Sequence, residues 1–472
     1  MSGIEGDGLE QSLYEVRRKI YPRAVHGAFA RARWTLVFAT QLVFYGAAWL
    51  QWNGRQALLF DLVGRKFYIF GLVLWPQDIV YLSVLLVLSA LSLFLFTAVA
   101  GRLWCGYACP QTVYTEIFLW IERFIAGDRA ARMKLDGAAP SARKAGLKAA
   151  KHAVWIALAL WTGFTFVGYF TPIRQLAASV ASFSLGPWET FWMLFYGLAT
   201  YGNAGWMREQ VCKYMGPYAR FQSAMFDPDT LIITYDTARG EPRGSRSRQA
   251  DPKALGLGDC VDCGICVQVC PTGIDIRKGL QYECIGCAAC IDGCNQVMHK
   301  LNYAPGLIRY STENALKKGW DWERILRRIY RPRVAIYCIV MATILVVTLS
   351  TLLGRSPVKV DVIRDRGSIA REVEGGRIEN VYRLVVMNTE ERTQAVQLAV
   401  RGPAKLGPLE LLAEPQPMEL APLAARTVAV RVRAAPSAGR GSIPIEFTLD
   451  SAVKSEEAPL FKVVEKSRFV IP

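Results

Sequence analysis

Two stretches of the chain repeat one cysteine pattern: CVDCGICVQVCP at residues 260–271 and CIGCAACIDGCN at residues 284–295. In each stretch three cysteines follow one another at intervals of three residues, and a fourth comes four residues after the third. With this spacing three thiolates bind one 4Fe–4S cube, and the fourth reaches across to a neighbouring cube. The pattern therefore predicts an α+β domain of the two-cluster ferredoxin type.

The crossing of the fourth cysteine defines two ligand sets. One cluster is expected on Cys260, Cys263, Cys266 and Cys294. The other cluster is expected on Cys284, Cys287, Cys290 and Cys270. Clusters linked in this way lie close enough for electrons to pass between them, so the chain is predicted to transfer electrons.

Zinc and disulfides explain the pattern less well. Zinc sites usually pair two Cys-x2-Cys units across a longer gap, and clustered x2 spacings suit metals better than disulfides. Cys270-Pro271 resembles the bacterial two-cluster ferredoxin signature, whereas Asn295 stands where the second run would usually have proline. We expect Asn295 to leave ligation intact and to alter the local turn and the hydrogen bonds to sulfur.

The rest of the chain is apolar enough to enter a membrane, since hydrophobic residues make up 52% of its 472 residues. Transmembrane helices are predicted at 34–52, 79–100, 153–170, 187–204 and 334–353. Glu189 and Asn203 interrupt the fourth of these, for which an interfacial helix is the alternative. Phe67–Trp75 is too short to span and is predicted to be re-entrant or interfacial.

Lysine and arginine predict the orientation of these helices. They concentrate at 17–33, 129–151 and 324–333, whereas the short loop at 171–183 carries Arg174 alone. By the positive-inside rule, the N-terminus and the ferredoxin insert are expected on the cytoplasmic side of a bacterial inner membrane. The C-terminus is expected on its periplasmic side. Basic residues beside the spans account for the net charge of +16, so no nucleic-acid partner is expected. The first apolar run is expected to be a retained anchor rather than a cleaved signal peptide.

After Leu353 the pattern changes to short alternating segments separated by turn residues. Strands are predicted at Val358–Val362, Val381–Met387, Ala395–Val400, Thr427–Val432, Ile443–Leu449 and Phe461–Val464. This number of strands in so short a segment predicts an all-β, Ig-like sandwich that binds a partner or caps the molecule. The segment 236–259 is rich in Gly, Arg and Ser and is predicted to be a mobile linker.

These predictions together divide the chain into seven parts. The expected order is a cytoplasmic arm (1–33), a four-span membrane domain (34–205), a connector (206–259) and the ferredoxin domain (260–300), followed by a basic connector (301–333), the fifth span (334–353) and the periplasmic sandwich (354–472).

A second cysteine motif, Cys105-Gly106-Tyr107-Ala108-Cys109-Pro110, follows the second span. Cysteines four residues apart share one helix face, where two thiolates could bind Cu(I), form a redox disulfide or face an electron acceptor. Cys212 begins a related segment, and we expect it near Cys105 and Cys109. Ordinary buried cysteines are the alternative. Cys338 lies in the last span, where a packing role is favoured.

Other redox cofactors are poorly supported by the sequence. The three histidines, His26, His152 and His299, do not form the facing pair that a membrane haem requires, and no Gly-x-Gly-x2-Gly follows a predicted strand. Electrons are therefore expected to come from an unidentified donor, either a partner protein or a quinol.

These features together resemble the cytochrome c oxidase accessory proteins called CcoG, FixG or RdxA. The resemblance rests on Cys105–Pro110, the segment 217–227 (PYARFQSAMFD), the segment 239–244 (RGEPRG), the two ferredoxin runs and the C-terminal Ig-like domain. It implies reduction of Cu(II) to Cu(I) for assembly of cbb-type cytochrome c oxidase, with Cys105, Cys109 and Cys212 as candidate copper contacts. Gly216 departs from the family, which has a second cysteine there.

The resulting hypothesis is a cupric reductase whose clusters pass electrons to copper. Cu(I) would then go to an export pump, a copper chaperone or the oxidase assembly factors. One rival is a quinol-oxidising subunit like the membrane ferredoxins of periplasmic nitrate reduction. The other is a non-redox assembly scaffold, with the sandwich docking oxidase subunits and the clusters serving as structural elements.

Overall fold

The computed structural model describes residues 19–216, 221–222, 224–247, 254–364, 370–413, 416–435, 441–452 and 461–471. The chain forms two compact units. The first combines the residues up to Gln51 with Leu85–Ile344, and the second combines Trp52–Val84 with Leu345–Pro472.

Helices dominate the N-terminal half of the first unit. They are α1 (Ala28–Ala47), α2 (Ile79–Ala100), α3 (Leu103–Tyr107), α4 (Pro110–Ala126), α5 (Arg129–Gly137), α6 (Ala142–Val167), α7 (Ile173–Ala181) and α8 (Pro187–Thr200). Local sequence explains where several of them begin: Pro110 and Pro187 occupy first turns, where no amide donor is needed, and the Ser141 hydroxyl caps α6 by accepting from the Lys144 amide. Two π-helical segments, Tyr201–Met207 and Val211–Met215, follow α8.

Three helices in the described part of the chain are long and apolar enough to cross a membrane: Pro76–Ala100, Ala142–Val167 and Pro332–Leu353. They coincide with the second, third and fifth predicted spans. The first and fourth predicted spans also fall on helices, α1 and α8, but α1 carries two arginines near its start and α8 has 14 residues. The five-span topology stays a prediction.

Small residues and stacked rings hold α4, α6 and α8 together. A Cβ added to Gly163 of α6 would lie 2.2 Å from the carbonyl oxygen of Met193 in α8, so glycine is what allows this approach. On α4, Phe118 stacks on Trp155 of α6 with ring centroids 5.1 Å apart. Both side chains are fully buried.

The ferredoxin region is closed by strands from outside the cysteine runs. β6 (Ile232–Tyr235) pairs antiparallel with β7 (Ile308–Ser311), with Ile233 opposite Tyr310. The helices of this region are α9 (Thr237–Gly240), α10 (Ile265–Gln268), α11 (Ala289–Lys300), α12 (Glu313–Lys318) and α13 (Trp322–Arg327), with a 3-10 turn at Ile276–Lys278. The last helix of the chain, α14 (Pro332–Leu353), follows them.

The predicted mobile linker is instead packed on the ferredoxin domain wherever it is described. Arg239 donates to the Asp259 carboxylate at 2.6 Å and to the carbonyl of Pro305 at 3.0 Å. The amide of Gly258 donates to the Pro242 carbonyl at 2.9 Å. The prediction of a mobile linker from composition is wrong for these residues, because the arginine side chain hydrogen-bonds the glycine-rich segment to the ferredoxin domain. Residues 248–253 lie outside the described residues.

Most of the second unit is the predicted β-sandwich. Its long strands are β8 (Val358–Arg364), β10 (Arg377–Asn388), β11 (Gln394–Arg401), β14 (Ala425–Ala434), β15 (Gly441–Ser451) and β16 (Lys462–Ile471), and its short strands are β9 (Arg371–Val373), β12 (Glu410–Leu412) and β13 (Met418–Leu420). One sheet has the order β12-β14-β10-β8, with β9 beside β10, and the other has the order β13-β11-β15-β16. Tyr382, Phe447 and Phe469 are fully buried between them.

An insert between α1 and α2 belongs to this second unit. It contains a β1–β2 pair (Gln51–Trp52, Arg55–Gln56) and an antiparallel sheet of β3 (Leu58–Asp61), β4 (Lys66–Ile69) and β5 (Leu72–Leu74). The prediction of a re-entrant or interfacial segment at Phe67–Trp75 is therefore wrong, since this stretch supplies two strands of a sheet. The buried carboxylate of Asp78 binds Arg355 at 2.7 Å and also Lys359, which joins the insert to the sandwich.

Candidate electron-transfer site

The first cysteine set converges on one small cavity. Its walls carry the sulfur-bearing residues Cys260, Cys263, Cys266 and Cys294. Tyr235, Val297, Met298, Leu307 and Ile308 make much of the lining apolar, and Arg277 also contributes to it. Cys263 is exposed, whereas Cys260 and Cys266 are buried. Four thiols around an apolar cavity fit the donor set and surroundings of a 4Fe–4S cluster.

In the second set Cys287 is buried, and Cys270, Cys284 and Cys290 are of intermediate exposure. Cys270, which belongs to the first run, is an electrostatic neighbour of Cys284, Cys287 and Cys290. Cys294 of the second run instead neighbours Cys260, Cys263 and Cys266. Burial raises the pKa of the Cys284 thiol to about 12, so this group would become a thiolate only by binding a metal centre.

Left-handed backbone turns shape each cysteine run. Gly264 (φ 63°) immediately precedes α10, and Ala288 (φ 59°) immediately precedes α11. One turn earlier the matching positions are Asp262 (φ 50°) and Gly286 (φ 70°). The third cysteine of each run therefore falls in the first turn of a helix, and Cys294 lies further along α11, from which it reaches the other set.

The membrane-edge cysteines lie against the second ligand set. Cys105 is in α3, Cys109 immediately precedes α4, and Cys212 is in the second π-helical segment. Cys105 and Cys212 both pack on an apolar cluster formed by Val269, Ile285, Cys287 and Ala289. The predicted proximity of Cys105, Cys109 and Cys212 agrees with their mutual electrostatic interaction.

These three cysteines are nevertheless not assembled as a closed site. Within the described ranges, no group of three or more His, Cys, Asp or Glu converges closely enough to hold a single metal ion, and this applies to the two ferredoxin cysteine sets as well as to these three cysteines. Burial raises the pKa of the Cys105 and Cys212 thiols to about 11. Cys338, predicted to have a packing role, is instead exposed on α14.

The loop of the second ligand set, residues 284–290, fits directly onto α3. A Cβ on Gly106 would lie 2.8 Å from the Cys287 nitrogen, and a Cβ on Gly286 would lie 3.0 Å from the Arg102 carbonyl oxygen. The Arg102 guanidinium donates to the carbonyl of Cys284 at 3.3 Å and to that of Tyr282. The two backbones lie so close together that only glycine fits at positions 106 and 286.

Side chains from distant parts of the chain hold the same loop. The buried Arg33 of α1 donates to the Cys287 carbonyl at 2.6 Å. The Tyr310 hydroxyl, from β7, donates to the Gly286 carbonyl at 2.7 Å. Sequence reasoning counted Arg33 as a topology signal and did not single out Tyr310, because the contacts that define their roles span 254 and 24 residues.

Cys105 is oriented by the segment 217–227 that carried part of the family resemblance. Its thiol donates to the Gln222 side-chain oxygen at 3.3 Å, and the Gln222 amide donates to the Thr97 hydroxyl at 3.1 Å. Gln222 is almost completely buried. Residues 217–220 and 223 of that segment lie outside the described residues.

Three protein-family models match the chain. A "4Fe-4S dicluster domain" matches residues 207–313, a "4Fe-4S binding domain" matches residues 82–126, and a model of the "IG-like fold at C-terminal of FixG" matches residues 348–472. The second match includes Cys105 and Cys109. The fold and these matches define a membrane-bound iron–sulfur electron-transfer protein with an Ig-like domain.

Similar proteins cover most of the chain. The "Nitrogen fixation protein FixG" of Rhizobium meliloti (strain 1021) is 39% identical over 421 residues, which are 83% of this chain and 80% of that protein. "Protein RdxA" of Cereibacter sphaeroides is 38% identical over 410 residues, 85% of this chain and 86% of that protein. The chain belongs to the FixG/RdxA family. A solved structure of a FixG-related protein from Vibrio parahaemolyticus is 27% identical and covers 25% of this chain and 97% of its own, with a TM-score of 0.21.

Proposed function

We propose that this protein reduces Cu(II) to Cu(I) at the cytoplasmic edge of the bacterial inner membrane and so supplies copper for assembly of a cbb-type cytochrome c oxidase. In this proposal Cys260, Cys263, Cys266 and Cys294 hold one 4Fe–4S cluster, and Cys284, Cys287, Cys290 and Cys270 hold the second. Such clusters, when bound, accept and release single electrons.

One observation carries the proposal. Cys105 and Cys212 pack on the same apolar cluster as Cys287 of the second ligand set. A copper ion on these thiols would lie beside the electron relay, and each Cu(II) would need one electron to become Cu(I). Thiolates favour Cu(I) over Cu(II), which makes that transfer more favourable.

Binding must also move protons. Because burial raises the pKa of Cys105 and Cys212 to about 11, both are thiols near neutral pH in the metal-free protein. Copper ligation requires thiolates, so each sulfur that binds releases its proton. Until copper binds, the Cys105 thiol donates to the Gln222 side-chain oxygen, which holds it in one orientation.

A single-turnover experiment tests the proposal. The purified protein is reduced with dithionite, freed of excess reductant without oxygen and mixed with Cu(II) and a Cu(I)-specific chromogenic chelator. Two clusters should yield about two Cu(I) per chain. Cys105→Ala combined with Cys109→Ala should slow the reaction at least tenfold, and Cys338→Ala serves as the matched control. Equal rates in all three proteins would refute the copper assignment.

Iron content separates this proposal from a third cluster at the membrane edge, which the family match to residues 82–126 makes a specific alternative. Two clusters contain about eight iron atoms per chain, and a third would raise this to about twelve. A drop of about four iron atoms in the Cys105→Ala protein would favour the third cluster over copper.

Oxidase assembly in cells addresses the scaffold alternative. Replacing the exposed Cys263 with serine removes one ligand of the first set. We expect oxidase activity to fall and to be partly restored by added copper. Full oxidase assembly with Cys263→Ser and without added copper would favour a non-redox scaffold.

A further inference from the structure

A cavity of about 1130 Å³ lies in the first unit between α1, α4 and the loop of the second ligand set. Its walls are largely apolar and include Trp34, Val37 and Phe38 from α1 and Ile117 and Trp120 from α4. Trp34 packs edge-on against Trp120, with ring centroids 6.3 Å apart. This volume suits a ligand larger than a typical small metabolite.

Polar groups converge at one end of the cavity. The Arg33 side chain is 7% exposed, and its Nε has no hydrogen-bond partner among the described residues. Its Nη1 donates to the Cys287 carbonyl, and Cys287 itself lines the cavity. The Glu116 carboxylate lies on the opposite wall, 3.4 Å from the Arg123 guanidinium.

A further polar group, Gln41, lines the same cavity. It lies on α1, about two helical turns beyond Arg33. Its side chain interacts with the Tyr114 hydroxyl, and its side-chain oxygen is buried without a hydrogen-bond partner in the described structure. Eight helical residues separate the two groups by about 12 Å along the axis. An unpaired buried oxygen is costly unless a ligand donates to it.

We propose that this cavity binds a membrane quinol, which acts as the electron donor to the relay; the inference rests on the proposed function of the cysteine sets. A quinol combines hydroxyl groups that donate to Gln41 or Glu116 with a ring and a tail that suit the tryptophan-lined walls. Arg33 is available to a quinone carbonyl. A ring bound beside Arg33 is in contact with Cys287, and so reaches the second ligand set directly.

The chemistry balances without a further reactant. Oxidation of one hydroquinone to its quinone releases two electrons and two protons. Clusters held by the two cysteine sets would each accept one electron, and two electrons suffice to reduce two Cu(II) ions to Cu(I). Glu116 accepts a proton from the hydroxyl group, and both protons pass to bulk water.

Photolabelling of the full chain in lipid nanodiscs tests the site. An azido-ubiquinone is bound, irradiated and located by mass spectrometry of the labelled peptides. We expect labelling in residues 33–45 and 112–123, and loss of the label when excess decylubiquinone is present. Label confined to the outward-facing Leu42 and Val43 would overturn the proposal, as would a retained phospholipid that decylubiquinone does not displace.

Substitutions make the same test quantitative. Gln41→Leu should raise the decylubiquinone concentration needed to block labelling about tenfold, the loss expected for one buried hydrogen bond. Gln51→Leu, which replaces an exposed glutamine just beyond the same helix, is the control and should leave that concentration unchanged. Identical competition curves for the two variants would overturn the proposal.

The single-turnover copper assay uses a protein already reduced by dithionite and therefore does not involve this cavity. Absent labelling with intact copper reduction would refute the quinol site alone. Intact labelling without copper reduction would refute the proposed function and leave the cavity as a quinol site.

Discussion

Gly106 of α3 lies against Cys287 so closely that a Cβ on Gly106 would be 2.8 Å from both the nitrogen and the Cα of Cys287. The membrane-edge cysteine motif and the second ligand set thus meet through their backbones, although Gly106 and Cys287 are 181 positions apart in the sequence. This contact joins the two cysteine features that the sequence shows as separate.

Gly106→Ala should loosen this contact. Backbone atoms cannot move aside as a flexible side chain does, so we expect the free energy of unfolding to fall by about 1–3 kcal/mol. We also expect the variant to bind less of the second cluster. Iron content and the visible absorbance of the purified protein measure this. Gly146→Ala is the control, because nothing lies within 4 Å of a Cβ at Gly146 in α6. Equal iron content in both variants would contradict a tight fit.

Tyr310→Phe should weaken the hold on the same loop more mildly. The change removes the hydroxyl that donates to the Gly286 carbonyl at 2.7 Å, and it leaves the ring in place. We expect the free energy of unfolding to fall by about 0.5–1.5 kcal/mol. Thermal unfolding followed by the cluster absorbance should then show a lower midpoint temperature. Tyr330→Phe, at a tyrosine that is 90% exposed, should have no effect on that temperature.

Glu122→Gln should destabilise the first unit strongly. The Glu122 carboxylate is buried and accepts from Arg132 at 3.1 Å and Arg208 at 3.0 Å, with Lys151 at 3.6 Å. Removing its charge leaves three cations without their anion, at a cost of about 3–5 kcal/mol. Thermal unfolding of the purified protein measures the loss, and Glu323→Gln, on the exposed part of α13, is the control.

The same carboxylate predicts a dependence of stability on pH. Burial alone would raise the pKa of Glu122, but the charges of Arg208, Arg132 and Lys151 outweigh it and lower that pKa below 4.5. A lowered pKa in the folded state gives stability that is present above the unfolded value and is lost as pH falls through the folded value. The decline below pH 4.5 should therefore be shallower in the Glu122→Gln protein. Parallel acid-unfolding curves would contradict this role.

Gly216→Cys should add a second cysteine to the segment that begins at Cys212 without disturbing the fold. The backbone at Gly216 has a φ of −88°, which any residue adopts, and a Cβ there would lie 3.3 Å from the Val211 carbonyl oxygen. With a fourth thiol near Cys212, we expect Cu(I) to be retained about tenfold more tightly in competition with a Cu(I) chelator. Gly137→Cys, where a Cβ meets nothing within 4 Å, is the control. Unchanged retention would place position 216 outside the copper site.

Repeating local patterns explain which parts of the fold were predictable. The six long sandwich strands fall where the apolar residues alternate, since alternation over a few residues places one face of a strand in the core. Spacing also predicts that Cys294 groups with the first run and Cys270 with the second, and each of these cysteines has its electrostatic neighbours in the other run. The sheet at 66–74 was missed, because a short apolar run reads alike as strand or membrane segment.

Spacing predicts the two cysteine sets, and periodicity determined the apolar helices and the sandwich, because these depend on residues that are neighbours in the chain. Tertiary structure decided what each of them contacts. It placed Cys105 and Cys212 on the apolar cluster around Cys287, and it brought Arg33 onto the Cys287 carbonyl. Such contacts arise from packing between segments that are distant in the sequence. They depend on a close backbone approach at Gly106 and on the buried guanidinium of Arg33, and no repeated sequence pattern marks either one.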